Sequence, residues 1–469
     1  MIEHLRPYPD YRDSKILWLG HIPSHWDCLP HRALFREIRS QGFPEEQLLS
    51  VTIAKGVVPQ AALLNDSSKR DSSNEDKTKY KLVEPNDIAY NKMRAWQGAV
   101  GMSKYRGLVS PAYIVVRLRS SHNPEYFHYL FRTPRFIKEA ERWSYGITSD
   151  QWSLRPEHFK MIYSCLPTKD EQYQITRFLT KTDRSIDRFI RNRRRLIKTL
   201  NEQKQAMVGR LVTRGLDPDV PLRPSGVEWL GDVPVHWEIL RAKYLFKEVD
   251  ERSSSGTEEL LSVSHITGVT PRSQKNITMF MAKSYVGHKI CRPGDLVVNT
   301  MWAWMKAMGI SSQLGIVSPS YAIYRPTKAA KVVGGYFDHL LRTPNYGAEY
   351  WRRSTGIRKS RLRLYPDDFL RIPMLVPPRH EQEKIAEYIA STTHNLNSAI
   401  LNAEREIVLI HEYRTRLVSD VVTGKIDVRG LSLAEAPFLD EDNAEGFADA
   451  DPTETEDYGI PEEAIDDDE

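Results

Sequence analysis

Trp18-Leu19-Gly20-His21-Ile22-Pro23-Ser24-His25-Trp26 returns 211 positions later as Trp229-Leu230-Gly231-Asp232-Val233-Pro234-Val235-His236-Trp237. The echo runs on along the chain. Leu49-Ser50-Val51 and Gly56 recur as Leu261-Ser262-Val263 and Gly268, and Val109-Ser110-Pro111-Ala112-Tyr113 as Val317-Ser318-Pro319-Ser320-Tyr321. Tyr126-Phe127 with Arg132-Thr133-Pro134 recurs as Tyr336-Phe337 with Arg342-Thr343-Pro344, and Glu171-Gln172 with Ile175 as Glu381-Gln382 with Ile385. Solenoid repeats have periods of about 20–50 residues, so a period of this length marks a duplicated domain with its connector. Two similar modules in one chain suit a partner that itself offers two sites.

Each half opens with a mixed α/β pattern and closes on a long helix. In the first half, apolar stretches near Gln47–Ile53, Asp87–Tyr90 and Ala112–Val116 are bounded by Gly, Pro, Asn and Asp, as strands and turns require. Ile114-Val115-Val116 has the β-branched content of a buried strand. The polar run Asn65 to Thr78 reads as an exposed loop. Asn123-Pro124-Glu125 opens a helix carrying Tyr126, Phe127, Leu130 and Phe131, with Pro134 soon after its end.

From Asp170 the period changes. Ile175, Leu179, Thr182, Ile186, Phe189, Leu196, Leu200 and Met207 alternate at spacings of three and four. The second copy offers Ile385, Ile389, Thr392, Leu396, Ala399, Ala403, Ile410, Tyr413 and Leu417. Such a seam predicts helices packed as a coiled coil, with Arg193 and Glu406 breaking its register. The mate of each helix is the other copy, in an antiparallel pair. Thr213-Arg214-Gly215 and Thr423-Gly424-Lys425 end both helices with glycine at the expected left-handed cap. The expected fold is α/β (α+β): similar globular domains at 1–168 and 216–378, long helices at 169–215 and 379–430, and pseudo-two-fold symmetry.

Charge is segregated along the chain. From Leu431 to Glu469 there are 16 acidic residues and no basic one, so the formal net charge of +4 conceals a body near +20. A basic body points to a polyanion, most often nucleic acid. The tail 431–469 is expected to be disordered, as a solubilising segment or as a competitor for the basic surface. Arg184, Arg188, Arg191, Arg193, Arg194, Arg195 and Lys198 make a basic run on the first long helix, either a solvated face or a contact to phosphates.

Cys28, Cys165 and Cys291 are odd in number and lack metal-ligand spacing, which fits thiols of a reducing cytoplasm. Met1 to Asp13 is polar and charged rather than leader-like, and no long apolar run predicts a membrane span. Phosphate-loop, His-Glu-x-x-His, Gly-x-Ser-x-Gly and methyltransferase signatures are all missing from the sequence. Asp10, Asp13 and Lys15 faintly resemble a nuclease arrangement, but they are crowded together and have no echo in the second half. Asp87 and Asp295, in Pro-Asn-Asp and Pro-Gly-Asp, read as turn residues.

Two paired segments do look functional. The first is Asn91-Lys92-Met93-Arg94-Ala95-Trp96-Gln97-Gly98, matched by Asn299-Thr300-Met301-Trp302-Ala303-Trp304-Met305-Lys306. Asn, Met, Ala and the second aromatic keep their places, whereas Lys92, Arg94 and Gln97 give way to Thr300, Trp302 and Met305. A shared frame with exchanged tips is what two readers of different bases require, since Arg and Lys suit guanine, Gln and Asn suit adenine, and apolar groups meet the thymine methyl. Trp96 and Trp304 would serve equally well as core. The second pair is Tyr145-Gly146-Ile147-Thr148-Ser149 with Gln151, Trp152 and Arg155, against Thr355-Gly356-Ile357-Arg358-Lys359-Ser360 with Arg361 and Arg363. Loops of this kind offer phosphate clamps and a base contact. The candidate DNA-binding residues are therefore Asn91, Lys92, Arg94, Trp96, Gln97, Thr148, Ser149, Gln151, Arg155, Asn299, Thr300, Trp302, Trp304, Lys306, Arg358, Lys359, Arg361 and Arg363. No catalytic or metal-ligating residue is expected.

The doubled Trp-Leu-Gly-x-Ile/Val-Pro-x-His-Trp opening, the Ser-Pro-x-Tyr strand and the paired Glu-Gln-x-x-Ile helix starts closely resemble the specificity subunit of type I restriction-modification systems, from about Lys15 to Gly430. The resemblance implies two target recognition domains, each reading half of a split, asymmetric double-stranded DNA sequence, with the helices fixing the gap. It also implies docking to two modification (methyltransferase) subunits and, for cleavage, to restriction subunits. S-adenosylmethionine, ATP and magnesium would then belong to those partners, with no cofactor in this chain. The acidic tail matches nothing in the family pattern. Two other readings remain: a stand-alone nuclease or methyltransferase, and a scaffold without sequence preference.

Overall fold

Tyr113–Leu118, which contains the β-branched run, is an inner strand of a four-stranded antiparallel sheet ordered Phe35–Ile38, Tyr113–Leu118, Ile88–Asn91, Val100–Met102. Side chains alternate between faces along a strand. Val115 accordingly packs with Leu49, Val51, Val57 and Val83, while Ile114 and Val116 join Tyr90, Phe127 and Phe131 in a second core. This computed structural model describes residues 5–64, 77–147, 151–274, 284–328, 332–357 and 362–431. Most of the predicted loop 65–78 and all but Leu431 of the acidic tail lie outside those residues.

The chain divides into two compact units, Met1–Arg193 with Arg405–Glu469, and Arg194–Glu404. The second repeats the first strand for strand. Its sheet runs Phe246–Val249, Ala322–Pro326, Leu296–Val298, Met308–Ile310, again antiparallel throughout. The hairpin Leu49–Thr52 with Gly56–Pro59 has its counterpart in Leu261–Ser264 with Gly268–Pro271. Each unit is thus α+β.

Asp87 and Asp295 do sit in turns, but their carboxylates are buried and bound to arginines on the inner strands. Arg117 Nε lies 2.6 Å from Asp87 Oδ1 and Arg325 Nε 2.9 Å from Asp295 Oδ1. Each carboxylate also accepts a backbone N–H three residues upstream, from Glu84 at 3.0 Å and Arg292 at 2.9 Å. A buried charge persists only when paired and hydrogen-bonded. Beyond the sheets, Asn123 caps the helix Pro124–Phe131 by accepting from Glu125 N at 3.0 Å. Pro134 does more than follow that helix: Thr133 accepts from Phe136 N at 3.3 Å and Pro134 opens a further helix, Pro134–Arg142. Pro344–Arg353 is its equivalent.

The long helices are Lys169–Arg214 and Arg379–Val422. Within the first unit Arg414 meets Asp183 at 2.9 Å and Asp187 at 3.0 Å, while Arg193 meets Glu406 at 2.6 Å, so the two helices run antiparallel. The two residues that break the heptad register therefore pair with each other. Ile186, Ile190 and Ile410 fill the seam beneath them. Within the second unit, Lys204 donates to Asn397 Oδ1 at 3.0 Å and Leu211 and Val212 share a core with Ile385 and Ile389, which gives the same sense. The seam is drier at its ends: Leu196 and Ala399, predicted within it, are exposed.

The repeated Glu-Gln pair fastens each helix start to its own unit. Buried Gln172 accepts from Asn123 N at 2.9 Å and donates to Pro167 O at 2.9 Å; buried Gln382 accepts from Val333 N at 3.0 Å and donates to Pro377 O at 2.8 Å. Glu171 and Glu381 hold the histidines of the doubled opening, His25 at 3.0 Å and His236 at 2.8 Å. The opposite helix ends are held by tyrosine. Tyr336 donates to Val212 O at 2.9 Å, and the Tyr126 hydroxyl lies 3.0 Å from Val422 O. Gly215 and Gly424 follow at φ +80° and +77°, as caps of this type demand; a Cβ on Gly424 would sit 2.4 Å from Pro23.

Gln382→Leu is expected to strand a buried N–H and a buried carbonyl, at about 1–3 kcal/mol for each orphaned group. Denaturant unfolding measures this, and a change below about 0.5 kcal/mol would count against the anchor. Burial also holds the His31 and His128 imidazoles at about 3, below their usual 6.5. The unfolded chain therefore binds protons that the folded one refuses as pH falls from 6.5 toward 3, so stability should drop by up to about 1.4 kcal/mol per pH unit for each group. His128 accepts from Met102 N, as Asp338 does from Ile310 N in the second unit. His128→Asn should keep that acceptor and flatten the acid slope of unfolding; an unchanged slope would rule the group out.

Candidate nucleic-acid interface

Strand Ile88–Asn91 ends in a turn that its own last residue shapes: Asn91 Oδ1 accepts from Met93 N at 3.0 Å. A 3-10 turn over Ala95–Gln97 follows, and Gly98 leaves it at φ +94°. The second unit builds the same turn. Asn299 Oδ1 accepts from Met301 N at 3.2 Å, a 3-10 turn covers Ala303–Met305, and Lys306 takes the left-handed position at φ +66°. That conformation strains a residue bearing a Cβ. The Lys306 stem packs 3.1 Å from where a Cβ on Gly347 would lie, and burial lowers the pKa of its ammonium.

The residues shared by the two segments are the ones that hold this frame. Trp96 Nε1 donates to Met93 O at 2.9 Å and Trp304 Nε1 to Met301 O at 3.0 Å. Ala95 and Ala303 are buried. Asn299 is buried as well and donates to the Tyr321 hydroxyl at 3.2 Å, and Thr300 Oγ1 donates to Ser320 O at 3.0 Å. Of the candidates, then, Asn91, Asn299, Trp96, Trp304 and Thr300 spend polar groups on the fold itself. The other exchanged positions behave differently: Arg94 is exposed, and Lys92, Gln97, Trp302 and Met305 are partly so.

The second pair of segments stands beside the first. Tyr145 and Ser153 exchange backbone hydrogen bonds at 3.4 and 3.1 Å, and Thr355 and Arg363 do so at 3.0 and 2.9 Å, tying the two arms of each loop together at the base of an arch. The arch rests on the turn through one equivalent contact in each unit. Leu154 N donates to Lys92 O at 2.8 Å, and Leu364 N to Thr300 O at 3.0 Å. Tryptophans fill the corner: Trp96 meets Trp152 edge-on at 5.4 Å, whereas Trp302 stacks on Trp304 at 5.6 Å and Trp304 meets Trp351 at 5.0 Å. Gln151, Arg155 and Arg363 are exposed. Thr148, Ser149, Arg358, Lys359 and Arg361 lie outside the described residues.

In the first unit the turn and the arch border an open cavity of about 840 Å³, lined by Lys92, Gln151 and Arg155 and also by Arg39, Lys81 and Glu37. Lys81 donates to Tyr113 O at 2.6 Å, and burial lowers the pKa of its ammonium. The Arg39 fork, at 2.8 and 3.1 Å, holds the Glu37 carboxyl below its usual range. Sequence reasoning missed these three. A signal for Lys81 was present, since Lys81-Leu82-Val83 is matched by Lys289-Ile290-Cys291 ahead of the paired Asp turns. Among the described residues no group of three His, Cys, Asp or Glu is placed to hold a metal ion, and no helix is long and apolar enough to cross a membrane.

The sequence matches no family model. It is 22% identical over 239 residues to the putative type I restriction enzyme MjaX specificity subunit of Methanocaldococcus jannaschii, covering 47% of this chain and 53% of that protein. The chain thus spans about half the length of the curated relative it matches. A solved chain described as the structural basis of complex assembly and conformational transition in a type I R-M system superposes with a TM-score of 0.61 at 12% identity, over 86% of this chain and 98% of the other. The chain therefore shares its fold with a chain solved as part of a type I R-M system. The HsdS subunit of Thermoanaerobacter tengcongensis also matches over 86% of this chain and 98% of its own, at 14% identity and a TM-score of 0.43. The turn and the tied base of the neighbouring loop form the same corner in both units.

Lys92→Ala and Arg155→Ala should each weaken duplex binding and lower the slope of log affinity against log salt by about one per phosphate contact removed. Fluorescence anisotropy over a salt series checks this. An unchanged slope in both variants would remove the corner from the interface.

Proposed function

We propose that the chain is the sequence-specific DNA-recognition subunit of a type I restriction-modification complex. Each unit reads one half of a bipartite, asymmetric duplex target. The antiparallel helices set the gap between the halves and dock the methyltransferase subunits, and cleavage belongs to separate restriction subunits. S-adenosylmethionine, ATP and magnesium act on those partners, and this chain contributes no catalytic group.

One observation carries the reading. The same turn is built twice by the same Asn, Met, Ala and Trp, braced by the same backbone contact from Leu154 to Lys92 and from Leu364 to Thr300, while the outward positions differ in chemistry. A duplicated frame with unlike tips suits two unlike half-sites. Lys92 and Arg94 offer donors to guanine N7 and O6 or to phosphate, whereas Trp302 and Met305 offer apolar surface to a thymine methyl. The basic body supplies the nonspecific attraction on which such reading is superimposed.

Mapping methylated bases genome-wide, in cells with and without the chain, should reveal a split motif that disappears with it. Adding one helical turn to both long helices should lengthen the gap and leave both half-sites unchanged. An unsplit motif, or a gap indifferent to the insertion, would contradict the reading.

A further inference from the structure

Ile147 and Ile357 are 94% and 98% exposed, more than any other large apolar residue among the described ones. A single exposed isoleucine needs no explanation. These two occupy the same place on the same arch, one residue after glycine and above the same turn, in both units. The arch is built to project them. Its arms are tied at Tyr145–Ser153 and at Thr355–Arg363, and they close so tightly that a Cβ on Gly146 would lie 2.5 Å from the Gln151 carbonyl. The surroundings of Ile147 are charged, with cations in excess: its cavity holds Lys92, Arg155, Lys81 and Arg39 beside Glu37 and Glu157. An apolar side chain set among charges is poorly suited to an apolar protein face, because docking there would desolvate those charges without pairing them. A duplex satisfies both chemistries at once, with phosphates outside and stacked, apolar base faces within.

We propose that Ile147 and Ile357 are wedges, each entering a base step of its own half-site and partly unstacking it, with Lys92 and Arg155 gripping the backbone beside Ile147. The inference rests on the DNA-recognition reading and adds to it a deformation made by each unit. Unstacking costs a few kcal/mol per step, which depends on the sequence being opened. The wedge therefore favours flexible pyrimidine–purine steps at a position where no side chain hydrogen-bonds a base edge.

The test uses the full chain and duplexes recovered by selection from a random library, with 2-aminopurine placed in turn at each base of the recovered site. Binding should raise the fluorescence several-fold at one step in each half. Ile147→Ala, a fully exposed substitution that leaves the fold alone, should abolish the rise in one half and weaken binding about tenfold. Ile147→Leu should restore most of both, and Ile357→Ala should act in the other half only. A native complex that binds a defined sequence with no rise at any step overturns the wedge. So does a rise that survives Ile147→Ala, or an affinity that falls on thymine-to-uracil replacement with no unstacking, which would mark a groove contact to the methyl instead. Failure to recover any preferred duplex overturns the DNA-recognition reading, and the wedge with it.

Discussion

The rest of the structure depends on how a long helix is fastened to a globular unit at each end. Backbone groups at helix termini have no partner within the helix, and here they are buried in protein rather than left to water. Gln172 and Gln382 bridge the approaching backbone to the domain, and Tyr126 and Tyr336 take the last carbonyls of the opposite helix. Each unit thereby holds the start of one long helix and the end of the other. The doubled Trp-Leu-Gly motif has its reason in this joint, because its histidines bind the glutamates beside those glutamines. Glycine follows where the chain turns left-handed against Trp237 and Trp26.

A joint of that kind frees the far side of each unit. The sheet and its two cores carry a turn and an arch whose conformations are set by Asn, Trp and backbone contacts, so the side chains between them are free to differ. That separation is physical: the donors of Trp96 and Trp304 are consumed by main-chain carbonyls, whereas Arg94 and Arg155 are exposed. A scaffold that is indifferent to the identity of its tips can be used twice with different tips. On the proposed function, this is how one duplicated domain would become two readers.

Much of this was legible in the sequence. The duplication, the β-branched inner strand, the Asn123 cap, both long helices and their terminal glycines are local signals, and local physics enforces them. Fold class, the helix pairing and the resemblance to specificity subunits followed from those. What was not legible depended on contacts distant in sequence. Pro134 reads as a terminator until Thr133 is seen to cap the next helix. Arg193 and Glu406 read as flaws in a heptad until they are found 2.6 Å apart. Asp87 reads as a turn residue because nothing nearby announces Arg117, thirty positions away. The tryptophans of the paired segments were ambiguous for a different, local reason, since an indole donor committed to a carbonyl three residues back looks like a free one in sequence. Lys81 was recoverable from its echo at Lys289.

The central claim is that frame and tip are separable, and that each unit's tips alone decide what that unit reads. Exchanging Lys92, Arg94 and Gln97 for Thr, Trp and Met, and then mapping the methylated target, tests it most directly. The account predicts a chain of unchanged stability whose target differs in one half, with the other half and the gap intact. A change in both halves, or no change in either, would contradict it.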